Sequence, residues 1–266
     1  MDITVSSPGS PGTSFTDNVK EKILTIFDVL QNNEDFASVR DLGTELENHG
    51  MNWNYARNIL PFLQNCGIVN YQNVAAIENK KFFTNIGNAY VDILRSIKII
   101  KAEEESNLRE EILVKLEKIQ EEIYFQCLVI MMKSPDCNYG YDFFDVLWFV
   151  KEYGSIDSTE YLLIQHEREV NPDSYLIDMG DTVRQYRDGT ITINVKTKTK
   201  NDENGAAKSV NSFPYVQGNF IKAGVFYKGD DNRYYIVRDR MPEIIKAIQE
   251  VLAAHGKTLC MLDTEK

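Results

Sequence analysis

Cysteine, histidine and proline are scarce: the 266 residues include only 4 Cys, 3 His and 7 Pro. Cys66, Cys127, Cys137 and Cys260 are widely spaced and none sits in a C-x-x-C pair, so neither a zinc ribbon nor a disulfide framework is indicated. A reducing, cytoplasmic setting is the expectation. His49, His166 and His255 lie too far apart for a local catalytic or metal motif. No G-x-G-x-x-G, G-x-x-x-x-G-K-[ST], H-E-x-x-H or G-x-S-x-G occurs, so the fingerprints of nucleotide binding, zinc proteolysis and serine hydrolysis are missing, and no cofactor or metal is expected. The sequence also lacks any apolar run of 18 residues, and its N-terminal stretch lacks the basic-then-apolar order of a signal peptide. Neither membrane nor export is expected. Basic residues are in deficit, 29 against 40 acidic, giving a net charge of −11. A nucleic-acid partner therefore has to be met by a local basic patch, because the average field repels it.

What is present is globular: 43% of residues are hydrophobic and 26% charged. The length allows two modest domains. Residues 1–15, with SSPGSPGTS, read as a disordered tail. Asp17 or Thr16 then caps a helix on which Val19, Ile23, Ile26, Phe27 and Leu30 recur at helical spacing. Ser38 caps a second helix, and Asn48-His49-Gly50 ends it. Asn52 caps a third helix that carries Tyr55, Ile59, Phe62 and Leu63 as far as Cys66-Gly67, with Pro61 making its middle irregular. The period then changes: Ile68–Tyr71 and Lys81–Thr84 are β-prone runs around a polar loop, and a helix follows over Asn85–Ile100. Three helices, a hairpin and a helix follow the order of a winged helix-turn-helix, an order shared with adaptors that bind no DNA.

Residues 103–123 predict a charged connecting helix with an apolar stripe of Leu108, Ile112, Leu116, Ile119 and Ile123. The stripe covers about two heptads, short of the three or four a coiled coil needs, although a homodimer through it is one partner the pattern allows. Beyond Tyr124 come an apolar stretch, a helix from Tyr141 to Tyr153, a helix capped by Asp157 or Ser158, and the alternating run Thr190–Lys200. That run predicts a strand with Thr192, Asn194, Lys196, Lys198 and Lys200 on one face.

The grammar of the first wing returns. Between Asn54 and Leu94, and again between Asn211 and Ile248, the chain spells an irregular Pro-containing helix, a Gly with two apolar residues, a loop, a short aromatic strand and a closing helix. The fold expected is therefore mainly α with small β-hairpins, an α+β chain of tandem winged helix-turn-helix domains joined by a charged helix. Residues 16–101 form the first domain, 102–123 the connection and 124–266 a second winged-helix-like domain. The segment SFPYVQGNFIKAGVFYKGDDNRYYIVRDRMPEIIKAI and the wing ending Phe83-Thr84-Asn85-Ile86-Gly87 resemble the winged-helix DNA-recognition regions of type IIS-like restriction endonucleases. The resemblance spans about 160 residues of this chain. It implies a sequence-reading module whose chemistry comes from a separate catalytic domain or subunit.

Local charge agrees with duplex DNA as the partner. From Arg184 to Lys222 there are seven basic residues, Arg184, Arg187, Lys196, Lys198, Lys200, Lys208 and Lys222, against three acidic ones, a local excess of four positive charges. Lysines on an exposed strand also serve simply to keep an edge soluble and unpaired. Base edges and phosphates are within the chemistry of Asn52, Asn54, Tyr55, Arg57 and Asn58 on the first third helix, and of Lys208, Asn211, Tyr215 and Gln217 on its counterpart near 208–222. Two other readings remain. One is a winged-helix protein–protein interaction module using the apolar face around Tyr141–Phe149. The other is a divergent PD-(D/E)xK-like nuclease built on Asp173, Asn194 and Lys196, in which Asn194 stands where a metal-binding carboxylate is needed.

Overall fold

A computed structural model describes residues 1–5, 13–71, 76–134, 136–137, 139–197, 200–201, 207–208 and 212–256. The chain is mainly helical, with short two-stranded sheets, and divides into two compact units. The first comprises Gly12–Met131 with Lys222–Gly224; the second comprises Met1–Pro11, Met132–Ile221 and Val225–Lys266.

In the first unit, helices α1 (Asp17–Asn32), α2 (Val39–Asn48) and α3 (Trp53–Asn65) start where the sequence offers an oxygen to an orphan amide. Thr16 accepts from the Val19 N–H, Ser38 from Asp41 and Asn52 from Asn54. Helix α3 turns Ala56, Ile59, Leu60, Phe62 and Leu63 inward. Each of the larger side chains gains roughly 1.5–3 kcal/mol from that burial, enough in sum to hold α3 in place despite the rung that Pro61 removes. A Cβ on Gly43 would lie 2.7 Å from Cδ2 of Trp53, so glycine lets the indole lie directly against α2.

After α3, Val69 bridges antiparallel to Phe83, and Asn70 N–H donates to Phe82 O at 2.7 Å. The expected second wing strand over Lys81–Thr84 is only this bridge. It is preceded by a one-turn helix, α4 (Asn79–Phe82), because buried Asn79 turns its Nδ2 toward the carbonyls of Leu30, Asn33 and Glu34 and its own N–H to Asp35 Oδ1, winding the chain around the end of α1. Thr84 caps α5 (Asn85–Ala102) by accepting from Gly87 N–H, while its hydroxyl donates back to Gly67 O at 2.5 Å. The core gathers Phe15, Phe62, Tyr90 and Tyr124, with Phe15 stacked on Tyr124 at 3.9 Å between ring centroids. Helix α6 runs unbroken over Asn107–Lys133, so the expected boundary at residue 123 falls inside a helix and the units divide at Met131/Met132 instead. The apolar stretch after Tyr124 is the buried end of that helix.

The second unit corrects the expectation of a tail over residues 1–15. Asp2–Val5 is strand β1, paired in parallel with β2 (Asn194–Thr197), Ile3 against Val195. Ile3 and Val5 are buried, because the alternation D-I-T-V puts two β-branched side chains on one face against a helix. Phe15 is also buried, and residues 6–12 lie outside those described. Within the strand expected over 190–200, Asn194–Thr197 form β2; Thr192, Asn194 and Lys196 face solvent, as the alternation predicts, and Lys198 and Thr199 lie outside the described residues.

Helices α7 (Gly140–Tyr153) and α8 (Ser158–Val170) form the core of this unit, α8 closed by a reciprocal capping box of Asp157 and Glu160. Every residue from Asp142 to Val150 is buried, so the apolar Tyr141–Phe149 face expected to bind a protein partner is core and unavailable. Short helices α9 (Tyr175–Asp178) and α10 (Gly180–Arg187) follow, then β3 (Lys200–Asn201) paired with β4 (Ala207–Lys208). The helix expected from 208 begins at Phe213 as α11 (Phe213–Lys222). The hairpin β5 (Phe226–Lys228) and β6 (Tyr234–Ile236) and the closing helix α12 (Met241–Ala254) appear where the repeat places them. Asn232 takes φ 64° in the hairpin turn, a conformation asparagine tolerates.

Candidate nucleic-acid interface

The face of α3 opposite its buried stripe carries Asn54, Tyr55, Arg57 and Asn58, all exposed. Asn52 sits at its start with its side chain committed to the Asn54 N–H at 2.8 Å, so it shapes the helix end and has one lone pair fewer for a ligand. Tyr55 is 58% exposed and carries Lys22 Nζ at 4.3 Å from its ring centroid. Both line a groove with Asn18, His49, Met51 and Asn52. Amide and guanidinium groups on an exposed helix face, with a lysine alongside, can hydrogen-bond base edges and phosphates.

The basic stretch of the second unit is less available than its charge count implies. Arg184 is exposed and pairs with Asp181 at 3.1 Å. Arg187 is a correction: Nε donates to Glu160 Oε1 at 2.7 Å, and its two terminal nitrogens donate to the Tyr153 and Ser155 carbonyls at 2.6 and 2.7 Å. Every nitrogen of that guanidinium is engaged in holding the fold. Lys196 is exposed on β2. Lys200 and Lys208 are backbone register partners in β3 and β4, and Asn211, like Lys198, lies outside the described residues. Tyr215 on α11 is 41% exposed. Gln217 is half-buried, with Oε1 enclosed and no partner among the described residues.

The nuclease triad is dispersed in role. Asp173 is exposed in the turn after α8, Asn194 donates through Nδ2 to Asp2 Oδ1 at 2.8 Å, and Lys196 faces solvent. Among the described residues no cluster of three His, Cys, Asp or Glu side chains could hold a metal ion. Cys66, Cys127 and Cys137 are buried thiols, and burial pushes Cys127 up to about 12, which removes it from nucleophilic chemistry at neutral pH.

Sequence reasoning missed two ion clusters. On α7, buried Asp142 and Asp145 both accept from Arg168 of α8, Asp145 Oδ2 at 2.6 Å; Gln165 donates to Asp142 at 3.1 Å and Tyr175 to Asp145 Oδ1 at 2.5 Å. Burial pushes the Asp145 carboxyl up to about 6 against the pull of Arg168. The second cluster surrounds Glu160, which is fully buried and receives Arg187 on one oxygen and Arg233 on the other; Arg233 also reaches Asp157 Oδ2 at 2.7 Å and Ser155 Oγ at 2.8 Å. The first cluster ties α7 to α8 and α9, and the second ties α8 to α10 and to the turn before β6, so both clamp elements together. An aspartate within the apolar run Phe143-Phe144-Asp145-Val146-Leu147 was the available signal for the first.

No known protein family, curated protein or solved structure matches this chain. No helix among the described residues is long and apolar enough to cross a membrane.

Proposed function

We propose that the protein is a non-enzymatic reader of double-stranded DNA, built as two winged-helix units, whose α3 enters a major groove while lysines of the second unit hold phosphates. The observation that carries this reading is the division of α3 into an inward face of Ala56, Ile59, Leu60, Phe62 and Leu63 and an outward face of Asn54, Tyr55, Arg57 and Asn58. A helix fixed by one face and presenting amide and guanidinium groups on the other suits base reading. Helix α11 with the β5–β6 hairpin stands as its counterpart in the second unit, with Tyr215 outward. The resemblance to restriction-endonuclease recognition regions fits a module that relies on a separate catalytic subunit in a restriction, defence or transcription system.

The test is selection of bound duplexes from a random pool. A shared motif, relaxed at one position by Asn58→Ala and at another by Arg57→Ala, is the expected result. Recovery of no common sequence overturns base reading. Plasmid incubated with the chain and Mg²⁺ should stay intact, and cleavage lost in Asp173→Ala would replace this proposal with the nuclease.

A further inference from the structure

We propose that α6 is a self-recognition helix through which two copies of the chain associate antiparallel. The proposal stands independently of DNA binding. Helix α6 has two apolar faces. One, with Leu113, Tyr124, Cys127, Leu128 and Met131, is buried in the protein's own core. The other, roughly a quarter-turn away at about 100° per residue, carries Ile112, Leu116, Ile119 and Ile123. Ile112, Leu116 and Ile123 are only partly covered, and Ile119 is 41% exposed. Spacings of four, three and four residues put these side chains at the alternating seam positions of a heptad.

Charge and register point to a second copy as the occupant. Laid antiparallel on itself, the stripe has a register in which apolar meets apolar throughout: Ile112 faces the partner's Ile123, and Leu116 faces the partner's Ile119, each contact occurring twice by symmetry. Arg109 and Gln126 then close the two ends against each other. Beside this seam, exposed Lys115 lies opposite the partner's Glu122, and Glu122 opposite the partner's Lys115. A parallel pairing would instead set Lys115 against the partner's Gln120 and Glu122 against the partner's Cys127, which leaves both charges unmatched and calls on a side chain already buried in its own unit. The seam is short for an isolated coiled coil. Here both helices are already formed and anchored, so association has no helix nucleation to overcome.

The test is sedimentation of the full chain across the micromolar range. Wild type should approach twice the chain mass, and Ile119→Glu should sediment as a monomer with unchanged helical circular dichroism. Lys115→Glu should weaken the dimer about tenfold, by setting two like-charged pairs across the seam. Lys115→Glu combined with Glu122→Lys should restore it. A monomeric wild type, a dimer indifferent to Lys115→Glu, or a double variant no tighter than the single one overturns the proposal.

Discussion

Arg187 and Glu160 form a partly covered ion pair, Nε to Oε1 at 2.7 Å, in which the carboxylate is fully buried and the guanidinium has no free nitrogen. Removing Arg187 leaves Glu160 with Arg233 as its one remaining cation, beside the Asp157 N–H of the capping box. Arg187→Ala should therefore destabilise the protein by about 2–4 kcal/mol, a discount from the 3–5 kcal/mol typical of breaking a buried pair because Arg233 remains. Chemical denaturation measures that loss. Under conditions where the variant is folded, its DNA affinity should equal that of wild type.

Gly87 follows from a similar close approach. A Cβ there would lie 2.1 Å from the Ile68 carbonyl oxygen, a backbone atom that cannot swing aside. Gly87→Ala should cost about 2–4 kcal/mol and lower the melting temperature, whereas Gly50→Ala, with open space but φ 77°, should cost about 1 kcal/mol.

Burial raises Asp145 from 3.8 to about 6, so the folded state holds this proton more tightly than the unfolded state does. Its contribution to stability is fully present below the unfolded value and is lost as pH rises through the folded one. Between pH 7 and pH 5, wild type should gain stability relative to Asp145→Asn. Carbon-detected titration of the Asp145 carboxyl should give a midpoint near 6; a midpoint near 4 would contradict the burial argument.

Caps and periodicity made much of this legible. Thr16, Ser38, Asn52 and Asp157 are strong local signals and each caps the helix it promised. The turn at Asn232 between β5 and β6 was likewise local. What stayed hidden depends on distant partners. Asp2–Val5 is a strand only because Asn194–Thr197 lies beside it, and four residues flanked by a Ser/Pro/Gly stretch carry too little alternation to announce that. Lys81 and Phe82 have strand chemistry but are wound into a turn by Asn79 and the end of α1. Counting positive charge placed Arg187 in a phosphate site. Only the fold reveals that Glu160 is its buried neighbour.

The two clamps bear on how the protein should respond to salt. Asp142, Asp145 and Glu160 are buried beside their arginines, so these pairs are screened far less than surface contacts. Melting in 0.1 M and 0.5 M salt, bracketing roughly the physiological range, should give closely similar temperatures.

DNA binding should behave oppositely. The most direct test is fluorescence anisotropy of the full chain on random duplex DNA through a salt series. The reading predicts a straight fall of log affinity with log salt, made shallower by about two to three when Lys196, Lys198 and Lys200 are all changed to Ala, because each phosphate contact releases a counterion. Absence of binding at low salt, or a slope that does not change in the triple variant, would contradict it.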